Sequence, residues 1–354
     1  MEARRFYLDV TEGLTKPVRA EDLVYAAPGL PTPEEVADEA DKPLSAKSGL
    51  EIAQGAFLAD VLAEPDTGRH LIETMLAPTP LAINQINRFR ELGALDLGQA
   101  HVQRSGNVGT VELRNPRHLN AEDDTTLGAL ETAIDLLLLD DRVEICVLRG
   151  GVVQHPRYAG RRVFGAGLNL THLYRGQISY LFFPIRDLGL VHKVFRADKL
   201  WIAAAETFAI GGGCQLLLCV DHILCERGTR LTLPARNEGI IPGAANLRLP
   251  RFVGDRRARQ AILSDRELAP EELADDIVAP GEMDAAIERT AAHLASAGAV
   301  SGVANRRALR IGQEPLDVFR AYMATYSREQ AVCHFSPALI RNLEENWRAH
   351  ERKD

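Results

Sequence analysis

Three consecutive glycines, Gly211-Gly212-Gly213, stand between two apolar runs. The run before them, Leu200-Trp201-Ile202-Ala203-Ala204-Ala205, reads as a buried strand, and the run from Cys214 to Val220 reads as a buried helix. Glycines at such a junction bring the backbone close to a ligand with no Cβ in the way. The first helical turn then aims unpaired N–H groups at that ligand, with the positive end of the helix dipole behind them. The arrangement suits an anion, or a carbonyl oxygen that becomes one. The same residues also fit a turn that only lets strand and helix pack closely.

Four polar side chains near apolar runs carry further chemistry. Gln215, just past the glycines, donates and accepts hydrogen bonds without titrating, so it suits a ligand contact as well as a loop tie. Glu122 precedes a helix, where a carboxylate compensates the dipole. Arg186 lies in a largely apolar helix, which is costly unless its guanidinium is paired, and Glu122 is one available partner; the other reading is a surface arginine. Gln330 lies on a C-terminal helix and either covers a site or is ordinary surface. His222 follows Asp221 in a strand and reads as a satisfied core histidine. No residue stands out as a general base.

These residues need a scaffold. Residues 1–98 read as a helical N-terminal domain, with Thr32 capping one helix, Ile52–Leu62 and Leu71–Leu76 forming two more, and Leu81–Leu92 a further one stopped by Gly93. Residues 99–290 read as an α/β core. It begins with two strands around Ser105-Gly106-Asn107, then a helix with its apolar face at Leu127, Leu130, Ile134, Leu137 and Leu138, then a strand from Arg142 to Leu148. Asn169 begins a helix, and a second helix follows Phe183-Pro184. Strands at Asp221–Glu226 and Arg230–Pro234 and helices at Arg256–Leu263 and Met283–Leu294 complete the core, and residues 291–354 read as a helical region.

The 354 residues are 46% apolar and 25% charged, as expected of a globular protein with a sizeable core. A net charge of -8 argues against a nucleic-acid surface or a polybasic membrane patch. No stretch approaches the ~18 apolar residues of a membrane helix, and no signal region opens the chain. Five scattered cysteines read as free thiols in a reducing cytoplasm. With no Cys-x-x-Cys or His-Glu-x-x-His spacing, no metal is expected.

Four segments in order, Asn115-Pro116 with Asn120-Ala121, Phe164-Gly165-Ala166-Gly167-Leu168-Asn169, Ile210 to Cys214, and Gly239-Ile240-Ile241-Pro242-Gly243, resemble the crotonase (enoyl-CoA hydratase/isomerase) superfamily over residues 100 to 290. The resemblance implies a spiral of strand-strand-helix units assembled as trimers or hexamers. It also implies an acyl-CoA thioester whose carbonyl oxygen is held by the N–H groups of Leu168 and Gly212, with Ala166, Gly167, Asn169 and Leu170 along the CoA and Gly211 and Gly213 shaping the turn. Hydratases of the family carry a Glu after Gly-Gly-Gly-Cys and a second after Leu-Pro. This chain has Gln215 and Ala235, so water activation by paired carboxylates is not expected, and Glu238 stands three positions too late for a simple replacement.

Thr207 to Gly213 with Gln215-Leu216-Leu217-Leu218, Glu238 to Gly243 with Ala245-Asn246-Leu247-Arg248-Leu249, and Phe319-Arg320-Ala321-Tyr322-Met323 are similar to one branch, the dihydroxyphenylacetyl-CoA dioxygenases of glycopeptide-antibiotic biosynthesis. That branch has an N-terminal helical extension and cleaves its arylacetyl-CoA with molecular oxygen, without metal or organic cofactor. The resemblance implies Glu122, Arg186 and Gln215 as contacts to ring hydroxyls or a peroxide, Gln330 as cover, and Ile240, Ile241 and Leu217 as a dry oxygen pocket. Two alternatives remain open on these residues: a crotonase isomerase or thioester hydrolase, and a non-catalytic acyl-CoA-binding protein.

Overall fold

The computed structural model describes residues 2–352. Its centre is a seven-stranded sheet in the order β1-β2-β3-β4-β5-β7-β9. β1 (Ala94–Asp96), β2 (Ala100–Ser105) and β3 (Val108–Leu113) pair antiparallel. From β3 through β4 (Ile145–Gly150), β5 (Leu200–Ala205), β7 (His222–Glu226) and β9 (Asp276–Val278) every pairing is parallel. Parallel strands need cover on both faces, and alternate residues supply it. Trp201, Ala203 and Ala205 of β5 join the core that holds Leu130, Ile134 and Leu137, whereas Leu200, Ile202 and Ala204 pack with Met283, Ala286 and Ala291 on the opposite face. A short parallel pair, β6 (Phe208–Ile210) with β8 (Arg230–Thr232), stands apart from this sheet at the glycine turn.

Most expected elements are present, with shifted ends. The N-terminal helices are α1 (Glu2–Val10), α2 (Ala20–Ala26), α3 (Pro33–Ala37), α4 (Ile52–Ala63), α5 (Pro65–Met75) and α6 (Pro80–Leu92). Thr32 caps α3 by accepting from the Glu35 N–H at 3.2 Å, and Gly93 stops α6 in the left-handed region. The core helices are α7 (Asp124–Leu139), α8 (Leu170–Tyr174), and α9 (Phe182–Arg186) continued through a π turn (Asp187–Val191) into α10 (His192–Arg196). Then come α11 (Gly212–Leu217), α12 (Ala235–Glu238), α13 (Ala245–Val253), α14 (Asp255–Ser264), α15 (Met283–Ser296), α16 (Ala299–Gln313), α17 (Leu316–His334) and α18 (Pro337–Trp347). The helix expected from Cys214 to Val220 starts two residues earlier and stops sooner, because Leu218 closes it with a 3.2 Å bond to the Gln215 carbonyl. The strands β1, β6 and β9 are three residues each, too short to leave a periodic signal.

The two helical ends share one apolar core. Leu58, Leu62, Leu71 and Met75 pack with Phe182, Phe183, Phe319, Met323 and Leu339. Arg320 of α17 donates to the last carbonyls of α4, Leu62 at 2.7 Å and Ala63 at 2.6 Å, where helix carbonyls otherwise lack partners. Ion pairs tie this layer to α7 and α7 to α10: Arg19 to Glu131 at 2.9 Å, and Lys193 to Glu131 at 2.7 Å and Asp135 at 2.8 Å.

The cysteines are free, four of them buried. His222 is not a core histidine. It lies half-buried beside β9, with Nε2 3.0 Å from Asp276.

Candidate active site

Two loops meet where the glycine turn enters α11. In the first, Glu122 donates its N–H to the Gly167 carbonyl at 2.7 Å and accepts from the Asn169 N–H at 2.8 Å, a single parallel bridge opposite Leu168. The residue opposite in such a bridge turns its own N–H to the other side. Gly167, at φ +80°, closes the approach to the second loop: a Cβ there would lie 2.9 Å from the Ile210 carbonyl oxygen and 3.3 Å from the Gly212 nitrogen. Gly212 is the first residue of α11, so its N–H has no acceptor within the helix.

Beneath this junction lies a cavity of about 40 Å³ lined by Glu122, Leu168, Phe182, Phe183, Arg186, Asp187, Gly211, Gly212, Gln215, Ala235, Glu238, Ile240, Ile241, Pro242, Gly243 and Tyr326. Outside it runs a cleft of about 720 Å³ whose lining includes Ala166, Leu168, Asn169 and Leu170, and the cations Arg117, Arg157, Arg230 and Arg352. Eight of the fifteen residues expected at a site therefore line the cavity, and three more line the cleft. Gly167 and Gly213 shape the backbone, and a Cβ on Gly213 would stand 3.0 Å from the Gly165 carbonyl oxygen.

Arg186 is 4% exposed, so the surface reading does not hold. Its Nε and Nη2 donate to the two carboxylate oxygens of Glu122, the Nη2 bond being 2.9 Å. Nη2 also donates to the Gly212 carbonyl at 3.0 Å and Nη1 to the Gln215 amide oxygen at 2.9 Å. Burial works against the guanidinium charge, but Glu122 and Asp187 outweigh it and hold its pKa above the ordinary value. The π turn begins directly after Arg186, and such insertions re-aim side chains at functional sites.

Other expectations are corrected. Gln330 is fully buried and does not line the cavity; its Oε1 accepts from the Ile241 N–H at 2.9 Å and so holds the isoleucine loop from behind. Leu217 belongs to the core beside Leu216 and not to the cavity wall. The Asn169 side chain is used locally, accepting from the His172 N–H at 3.2 Å and donating to Asp123 at 3.0 Å.

Three ionisable lining residues were not assigned to the site from sequence. Asp187 accepts from the Ala244 N–H at 2.9 Å, and burial raises its pKa. An arginine–aspartate pair inside the apolar run from Phe182 to Val194 was the available signal. Tyr326 brings a phenol whose pKa burial holds well above the ordinary value; nothing in the sequence of α17 singles it out. Glu238 also lines the cavity, and burial, with Asp265 adding to it, pushes its carboxyl up to about 7. Among the described residues no group of three or more His, Cys, Asp or Glu is arranged to hold a metal ion, and no helix is long and apolar enough to cross a membrane.

A family model described as Enoyl-CoA hydratase/isomerase matches residues 103–303. The chain is 44% identical to the (3,5-dihydroxyphenyl)acetyl-CoA 1,2-dioxygenase of Amycolatopsis orientalis, covering 93% of this chain and 81% of that one. It is 26% identical to the short-chain-enoyl-CoA hydratase of Clostridium acetobutylicum, over 62% of this chain and 84% of that one. In structure it is similar to an enoyl-CoA hydratase from Mycobacterium avium subsp. paratuberculosis K-10, with a TM-score of 0.61 at 20% identity, over 70% of this chain and 98% of the other.

Proposed function

Because the chain belongs to the enoyl-CoA hydratase/isomerase family, we propose that it is a dioxygenase of an arylacetyl-CoA, taking 3,5-dihydroxyphenylacetyl-CoA and O2 to the arylglyoxylate and free CoA. The observation that carries this reading is the bonding of Arg186 to Glu122, Gln215 and the Gly212 carbonyl beside the Leu168 and Gly212 amides. Gln215 and Ala235 line the cavity where a hydratase would need its two carboxylates, so water addition has no pair to activate it.

In this reading CoA lies along the cleft past Ala166, Asn169 and Leu170, and the thioester oxygen sits on the Leu168 and Gly212 N–H groups. The Cα–H, flanked by thioester and ring, is lost to give an enolate, whose oxyanion each donor stabilises in the transition state by about 3–4 kcal/mol. The enolate passes an electron to O2, which needs no metal or organic cofactor. Recombination forms a Cα peroxide, whose attack on the thioester carbonyl expels CoA as thiolate and closes a four-membered peroxylactone. Loss of the second Cα proton with cleavage of the O–O bond then leaves one oxygen atom at each carbon, as the arylglyoxylate. Ile240 and Ile241 give O2 an apolar wall.

A cavity of about 40 Å³ holds a few waters and not an aryl ring. Ring entry therefore exchanges part of the bonding among Glu122, Arg186 and Gln215 for bonds to the two ring hydroxyls. Exposed apolar residues of α16, Val300, Leu309 and Ile311, support assembly as a trimer or hexamer, and the free buried thiols support a cytoplasmic setting. The resemblance of Thr207–Gly213 and Glu238–Gly243 to the dioxygenase branch carries the further reading of a place in glycopeptide-antibiotic biosynthesis.

The test is oxygen uptake by metal-free protein given the arylacetyl-CoA, with CoA release followed in parallel. One O2 consumed per CoA released is expected. CoA released at an undiminished rate without oxygen would make the protein a thioester hydrolase instead.

A further inference from the structure

Only two of the described residues line both the cavity and the cleft: Leu168 and Glu238. A thioester with its CoA in the cleft and its aryl group in the cavity must pass between them. Its carbonyl carbon and Cα are the atoms at that crossing. We propose that the Glu238 carboxylate is the general base that takes the Cα proton. This rests on the acyl-CoA reading above and adds the group that the reading lacks.

The geometry follows from α12. On this short helix Ala235 and Glu238 are three residues apart and so share a face. Both line the cavity. A carboxylate one turn along the same face thus reaches the space from which residue 235 has withdrawn. The turn is closed by Gly239 at φ +95°, whose N–H donates to the Ala235 carbonyl at 2.9 Å. Gly239 backs onto Leu339 of α18, so the helix cannot swing outward without displacing α18.

The other acids at the cavity are engaged elsewhere. Glu122 is held by Arg186. Asp187 accepts from the Ala244 N–H and does not reach the cleft. Glu238 forms no side-chain hydrogen bond or ion pair among the described residues, and it is half-buried. Asp265, just beyond α14, acts on it; α18 offers the neutral Asn342, the cleft it lines carries Arg117, Arg157, Arg230, Arg352 and Glu267, and the cavity carries Asp187, Tyr326 and the paired Arg186 and Glu122. Burial first, and then Asp265, favour the neutral acid, so the base form develops through neutral pH.

The step breaks the Cα–H bond, moves the proton to a Glu238 oxygen and leaves the electron pair on the thioester oxygen at the Leu168 and Gly212 amides. It uses no oxidant, so it can be followed without oxygen, as deuterium uptake at Cα of an arylacetyl-CoA in D2O. Glu238→Gln is expected to lower this exchange by about 10²–10⁴-fold, to lose the rise of rate with pH near neutrality, and to bind a CoA thioether analogue as wild type does. Glu238→Asp, one methylene shorter, should keep the pH-dependent rise at a lower rate. This second variant carries the test should the first fail to fold.

Exchange by Glu238→Gln at the wild-type rate with the same pH profile would overturn the assignment, as would wild-type exchange that shows no rise near neutrality. Wild-type exchange without any oxygen uptake would remove the dioxygenase reading and leave Glu238 as the base. No exchange by wild type at saturating thioester would remove both.

Discussion

The Arg186 guanidinium donates to the Gly212 carbonyl at 3.0 Å while two of its nitrogens hold the Glu122 carboxylate. One side chain thus fixes the first residue of α11 and the loop that leads into α7. Both loops that line the cavity at Glu122 and Gly212 are tied to a single buried cation.

Breaking that tie from one side is expected to cost stability. Glu122→Ala leaves the Arg186 charge buried without its main partner and should destabilise the fold by about 3–5 kcal/mol. Replacing both, as Glu122→Gln with Arg186→Met, should cost less than the single alanine change, because no unpaired charge remains. Urea unfolding midpoints of the three proteins decide it.

Gly212→Ala tests the close approach. A Cβ there would lie 2.7 Å from Glu122 Oε1 and 2.9 Å from Arg186 Nη2. Either the ion pair or the backbone must shift, and a displaced amide should lower kcat by about 10²–10³-fold. Steady-state oxygen uptake measures it, with circular dichroism as the check on folding.

Gln330 acts through the isoleucine loop. Gln330→Met removes the acceptor of the Ile241 N–H and should cost about 1–3 kcal/mol if that N–H stays unpaired. Hydrogen exchange should quicken more at Ile241 than at Val147 of β4 and Ile202 of β5, which keep their ladder bonds.

Glu238 also makes stability depend on pH. Its folded-state pKa of about 7 lies above the ordinary 4.5, so the folded state binds more protons than the unfolded state between these values. This contribution is fully present below about 4.5 and is lost as pH rises through about 7. Glu238→Gln should therefore melt above wild type at pH 8 and should lose that advantage near pH 5. Thermal midpoints across this range give the comparison.

Much of this site was legible in the sequence, and the limits have physical causes. The glycine turn is local and could be read from its own residues, whereas the Phe164–Asn169 loop came with the family resemblance and spacing alone left Gln215 undecided. The cost of burying an unpaired guanidinium named Glu122 as one partner of Arg186 and left a ring hydroxyl or a surface position open, because burial is set by distant packing. Gln330 was not placed correctly because its partner is a backbone N–H far away in sequence, and no side-chain pattern marks that. Glu238 was set aside on a linear count, whereas on a helix three residues bring a side chain back to the same face. The strands β1, β6 and β9 draw their stability from pairing with neighbours, which three residues cannot advertise.

The bonds from Arg320 to the end of α4 join parts of the chain that leave the ribosome at very different times. At ~5–20 residues per second, roughly 250 residues separate the two, so the early helices wait on the order of ten to fifty seconds for their partner. Through that interval Leu58 and Leu62 have no α17 to cover them, so nascent chains halted before residue 316 are expected to present that apolar face to chaperones.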